Sequence, residues 1–155
     1  VAGAAFIGEH SFSSTELPSS VGRPDSNDLL YAEKFGQEIS NLMNMVSSAS
    51  QRGELQIPGS KPYRGVTDLW HVDFIAVDKH CIQCGICAEG CPVGAINKAD
   101  SSIIAIDKCT LCCACIKNCP QNARSMKPGM VRDAAIRCTK FIERREPEYF
   151  INSWN

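Results

Sequence analysis

The chain has 155 residues, enough for one ordinary domain or two small ones, and its 44% hydrophobic and 21% charged content is that of a globular protein. A formal net charge of −1 and a pI near 6.3 supply no basic surface for nucleic acid. No run reaches the roughly 18 apolar residues that a membrane span needs. The ten cysteines are even in number, as in a secreted disulfide framework. They crowd into two short runs, however, and Val1 to Ile7 is too short and lacks the basic flank of a signal peptide.

In chain order, Val1 to Ile7 is an apolar run that suits a buried strand, and a polar loop follows from Glu9 to Pro24. Asp25 or Ser26 is expected to cap a helix whose positive N-terminal end suits Asp28. Leu29, Ala32, Phe35, Ile39, Leu42, Met43 and Val46 recur at three- and four-residue steps and give that helix one apolar face. Hydroxyl-rich Ser11, Ser13, Ser14 and Thr15 have no glycine among them, so they read as a plain loop and not a phosphate cradle. One strand and one helix cannot bury their apolar faces alone, so the segment 1–46 needs cover from another chain or from sequence outside this one. Residues 47–68 carry Gly53, Pro58, Gly59, Pro62 and Gly65 without periodicity and read as a linker.

The segment 69–126 holds two copies of Cys-x-x-Cys-x-x-Cys-x-x-x-Cys-Pro. The first is Cys81, Cys84, Cys87, Cys91 and Pro92; the second is Cys109, Cys112, Cys115, Cys119 and Pro120. This is the ligand spacing of bacterial ferredoxins with two 4Fe–4S clusters, in which the fourth cysteine of each run serves the other run's cluster. The expected sets are therefore Cys81, Cys84, Cys87 and Cys119 for one cluster, and Cys109, Cys112, Cys115 and Cys91 for the other. Zinc sites more often pair two Cys-x-x-Cys knuckles and lack the third cysteine and the proline. Two oxidised clusters would take the formal charge to about −5, an acidic surface suited to basic redox partners.

The two runs match at a shift of 28, Ala95 matches Ala123, and Val77-Asp78-Lys79 and Ile106-Asp107-Lys108 precede them. Each half reads as strand, ligand loop and short helix begun by the proline, with 101–106 expected to pair with 74–77. The fold class is thus α+β, with a pseudo-two-fold repeat. Gly85 lets the first loop approach its cluster, whereas Cys113 at the equivalent place reads as a small apolar stand-in. His80 could tune potential and Lys108, Lys117 and Arg124 could offset cluster charge, but a solvated place is the default for all four. Trp70, Phe74 and Tyr63 read as cover against water more than as electron relays. In the segment 127–155, Met130 to Arg145 is expected to be helical, with Val131, Ala134, Ala135, Cys138, Phe141 and Ile142 as its apolar stripe, ended by Pro147. Cys138 reads as structural. Glu9, His10 and Asp73 are scattered, and no catalytic residue is assigned.

Beyond the cysteines, Phe6-Ile7-Gly8-Glu9-His10-Ser11-Phe12-Ser13, Gly22-Arg23-Pro24-Asp25 and Phe35-Gly36 resemble the closing strand and helix of a flavodoxin-like α/β domain. With the twin runs, and with Cys138 ahead of Arg145-Glu146-Pro147-Glu148-Tyr149-Phe150, the chain resembles the flavodoxin–ferredoxin fusion proteins of anaerobic bacteria and archaea. The resemblance implies a strand–helix remnant of the flavodoxin-like domain over 1–46, with FMN bound only in a longer parent chain. The phosphate loop of that family is absent, so no flavin-binding residue is assigned. The expected function is low-potential electron transfer through two 4Fe–4S clusters, as a carrier more than as an enzyme, with redox proteins or a flavoprotein domain as partners. The alternatives are the C-terminal part of an FMN-dependent oxidoreductase and an iron–sulfur module that never turns over. A reducing, cytoplasmic setting and a homodimer through residues 1–46 complete the expectation.

Overall fold

The computed structural model describes residues 2–45, 55–60, 69, 71–140 and 143–151. The chain forms two compact units, and both are built from separated stretches of sequence. One gathers 1–9, 20–65 and 143–155; the other gathers 10–19 and 66–142. The segment 1–46 is therefore divided between the units, and the C-terminal tail belongs with the chain's beginning.

In the first unit, strand β1 (Ala2–Ala5) is followed by helix α1 (Ser26–Met45), close to the expected bounds. The partner of β1 is β4 (Glu148–Ile151), antiparallel, with Ala2 opposite Ile151 and Ala5 opposite Glu148. The sequence gives little notice of the tail strand, because Pro147 hides a short run whose Tyr149, Phe150 and Ile151 suit a pleated surface. Among the described residues β1 pairs only with antiparallel β4. Its burial is partial, not the full burial expected of the apolar run. Tyr149 packs near Phe35 of α1 (ring centroids 5.1 Å), and its hydroxyl donates to the Tyr31 carbonyl (2.5 Å). Part of the cover for α1 thus comes from the chain's own tail, while Leu29, Leu30, Met43 and Met45 stay exposed.

The entry to α1 is a reciprocal capping box. Asp25 Oδ1 accepts from the N–H of Asp28 (3.0 Å), and Asp28 Oδ2 accepts from the N–H of Asp25 (2.8 Å). Asp28 is fully buried, so its charge demands a partner. Arg23 forks onto both of its oxygens, with Nη2 to Oδ1 at 2.5 Å, and donates from Nη2 to the Arg145 carbonyl (3.0 Å). Arg144 pairs with Asp25 (2.5 Å) and Glu146 (2.6 Å). One carboxylate thereby ties the helix start to the tail.

In the second unit, β2 (Ile75–Val77) pairs antiparallel with β3 (Arg124–Met126), with Val77 opposite Arg124. Short helices α2 (Ile86–Glu89) and α3 (Ala114–Lys117) lie within the two cysteine runs and hold Cys87 and Cys115, ending before Pro92 and Pro120 instead of starting at them as expected, and α4 (Met130–Cys138) closes the unit. The expected pairing of 101–106 with 74–77 is not what forms. Ile104 instead bridges Ile96, within reach across one tight turn, and β2 takes the distant β3. Helix α4 ends at Cys138, seven residues before the expected Arg145, where Thr139 Oγ1 donates to the Ile136 carbonyl (2.7 Å) and Ser19 Oγ donates to the Cys138 carbonyl (3.0 Å). Val131, Ala134 and Ala135 are buried as their spacing requires, while Phe141 and Ile142 lie outside the described residues. The core joins them to Phe74, Ile75, Leu111, Cys113 and Phe12, the last delivered by the 10–19 loop. Ser13 and Ser14 hydroxyls close that loop by accepting from the N–H groups of Ser19 and Leu17. Among the described residues no helix is long and apolar enough to cross a membrane.

Burial of Asp28 against Arg23 fixes a sign for pH dependence. The Arg23 hydrogen bond holds the Asp28 carboxyl down at about 2, from an ordinary 3.8. A lowered carboxyl stabilises the fold fully above the ordinary value, and that contribution is lost as pH falls from there through about 2. Removing the carboxylate with Asp28→Ala strips the cap and strands Arg23 at neutral pH. Amide hydrogen exchange across 26–45 should then accelerate roughly tenfold; unchanged protection would refute the role given to Asp28.

Candidate metal centres

The backbone of the cysteine loops repeats with the sequence. Left-handed residues recur at a shift of 28: Gln83 (φ 55°) with Leu111 (58°), Gly85 (80°) with Cys113 (58°), and Gly94 (60°) with Asn122 (50°). The hydrogen bonds follow suit. Glu89 N–H to the Gly85 carbonyl (3.0 Å) matches Lys117 N–H to the Cys113 carbonyl (3.0 Å), and Gly94 to Cys91 (3.2 Å) matches Asn122 to Cys119 (3.1 Å). Alternation of right- and left-handed residues turns successive N–H groups towards one side, a concavity that receives anionic sulfur.

These loops surround two cavities. One is lined by Cys81, Cys84, Cys87 and Cys119, with Ser101 and Arg124 on its wall. The other is lined by Cys109, Cys112, Cys115 and Cys91, with Phe74, Ile75, Ile96 and Ile104, and Cys113 is on its wall as well. Each therefore includes three motif cysteines of one run and the fourth of the other, and the second has Cys113 as a fifth cysteine. The helices α2 and α3 pack together, which carries each fourth cysteine across.

The donor chemistry selects among metals. A single tetrahedral ion takes its thiolates about 2.3 Å from one point. Four thiols ringing a space suit a polynuclear iron–sulfur group instead, in which each thiolate meets its own iron. All ten cysteines are free thiols.

The two surroundings differ. Cys84 is exposed, whereas Cys109, Cys112, Cys115 and Cys91 are half-buried among apolar side chains. Ala95 N–H donates to Cys91 Sγ (3.2 Å), a contact of the kind that stabilises thiolate charge. Burial raises the Cys115 thiol, and burial with the neighbouring cysteines raises Cys113 to about 12. Cys113 is 3% exposed, belongs to the apolar core and lines the second cavity, with its thiol 3.7 Å from the Leu111 carbonyl. Gly85 has a positive φ (80°), and a Cβ there would meet no protein atom within 4 Å. Cys138 is half-buried in α4.

The remaining sequence candidates separate. Phe74 is buried on the wall of the second cavity; Trp70 and Tyr63 lie outside the described residues. His80 is exposed, its Nδ1 3.2 Å from Asp78 Oδ1, and Lys108 and Lys117 are exposed as well. Arg124 is the correction: it is 4% exposed, not solvated. Its place in β3, opposite Val77, turns it inward, which its charge concealed in the sequence. Glu9, His10 and Asp73 engage Gly22, Phe12 and Lys127 respectively and form no common site.

Comparison with known proteins agrees with the loop chemistry. Residues 77–97 match the family model of the 4Fe–4S binding domain. The chain is 38% identical over 76 residues to a subunit of tetrathionate reductase from Archaeoglobus fulgidus, covering 46% of this chain and 35% of that one. It is 30% identical over 90 residues to the thiosulfate reductase electron transfer subunit of Salmonella typhi (56% and 45%), and 43% identical over 53 residues to a subunit of selenate reductase from Mesobacillus selenatarsenatis (32% and 18%). The chain thus spans less than half the length of these relatives. No solved structure matches it.

Cys113 offers a clean separation of packing from ligation. Cys113→Ala should keep the full iron content, while Cys113→Val should cost about 1–3 kcal/mol because a β-branched residue resists positive φ. Iron analysis and thermal unfolding read the two effects; loss of iron in the alanine variant would make Cys113 a ligand.

Proposed function

We propose that this chain carries electrons through two 4Fe–4S clusters, one held by Cys81, Cys84, Cys87 and Cys119 and the other by Cys109, Cys112, Cys115 and Cys91. The observation that carries the reading is the pair of cavities, each lined by the first three motif cysteines of one run and the fourth of the other, with Cys113 also on the wall of the second. The shared 28-residue backbone repeat supports two halves related by a pseudo-two-fold axis. When bound, such a cluster accepts and releases one electron with little change of geometry.

The protein's part is to hold, shield and expose. The left-handed loop residues present N–H groups to sulfur, and Phe74, Ile75, Ile96 and Ile104 keep water from the second site. The first site reaches the surface at Cys84, beside exposed Ile82 and Ile86, where an electron has the shortest path to a partner. The aligned relatives are named as reductase subunits, one of them an electron transfer subunit. That favours an oxidoreductase subunit as the partner over an FMN domain in a longer parent chain.

Anaerobically purified protein should contain about eight iron and eight sulfide per chain. Dithionite should reduce it reversibly to a state with an EPR signal from two interacting spins. Zinc in place of iron, or clusters that cannot be reduced, would contradict the reading.

A further inference from the structure

Arg124 is the one buried side chain among the described residues whose polar atom lacks a partner. Its Nη2 donates to the carbonyl of Ser101, itself 2% exposed. Its Nη1 is buried with no hydrogen bond, and no described carboxylate pairs with it. A buried guanidinium without an anion is costly, so the site is built for negative charge that the polypeptide does not supply. The cavity it lines is that of Cys81, Cys84, Cys87 and Cys119.

The repeat makes the feature asymmetric. At a shift of 28 the counterpart of Arg124 is Ile96, which lines the other cavity. The counterpart of Gln83 is Leu111: Gln83 Oε1 accepts from the Ser101 N–H (2.8 Å), so the first ligand loop is tied to the turn that holds Arg124, whereas Leu111 is buried in the apolar core. One site has a cationic, polar wall; the other has an aliphatic one.

We infer that Arg124 is a positioning residue that sets the order of the two centres, donating from Nη1 to sulfur at the first and raising its potential above that of the second. This rests on the two-cluster reading above. One-electron reduction adds a negative charge to the centre, which a fixed positive charge stabilises and an apolar wall disfavours. Electrons then collect at the first centre, whose Cys84 is exposed, and the apolar centre lies upstream of it. Arg124 lines the first cavity and not the second, so the second centre should respond less.

EPR-monitored redox titration of the full chain tests this. In the wild type, the centre lost in Cys81→Ala should be the one with the higher midpoint; if it is the lower one, the inference fails whatever becomes of any Arg124 variant. Arg124→Met should lower the first centre's reduction equilibrium at least tenfold, which is about 59 mV for one electron, with a smaller change at the second. Arg124→Lys, which keeps the charge, should retain the wild-type order. Equal shifts at both centres, or none with iron intact, would overturn the role of Arg124. A chain with fewer than two reducible centres would instead overturn the two-cluster reading itself.

Discussion

Two cavities in the cysteine unit each draw their sulfur lining from both runs, and the rest of that unit is arranged to make this exchange possible. Three cysteines at every third position curl a loop around one space; the fourth sits past a one-turn helix and faces the neighbouring space. For both fourth cysteines to arrive, α2 and α3 must pack side by side, and the strands that flank them must close on each other as β2 with β3. Filling either cavity therefore requires both halves. Metal binding and folding of this unit should be linked for that reason, since neither set of four exists in an unfolded chain.

The other unit is held by a different device. A buried carboxylate, Asp28, is satisfied from the loop before it by Arg23 and from its own helix start, while the tail contributes Arg144 and a backbone carbonyl. The described residues of the tail meet the helix start in this unit at that ionic cluster and at the β1–β4 ribbon. Apolar side chains of α1 that the tail does not reach, such as Leu29 and Met45, remain at the surface.

Legibility follows the range of the forces. Local signals are readable: the cap and periodicity of α1, the cysteine spacing, and the matching of two halves at one shift. Non-local pairings are not. Nothing in Glu148–Ile151 announces β1 as its partner, and a hydroxyl-rich loop gives no sign that Phe12 ends in the core of the cysteine unit. Of the strand and helix expected over 1–46, both form, and the partner of the strand is the distant tail. Arg124 misleads for a different reason. Arginine is solvated by default, and only the strand register, with the cavity behind it, shows why this one is inside.

The exchange of fourth cysteines is tested most directly by iron content in paired alanine variants. If Cys119 serves the first run's site, Cys81→Ala with Cys119→Ala disables one site twice and should leave about four iron atoms per chain, whereas Cys109→Ala with Cys119→Ala disables both and should leave about none. The reverse outcome, about none for the first pair and about four for the second, would mean that each run binds its own cluster and would contradict the account.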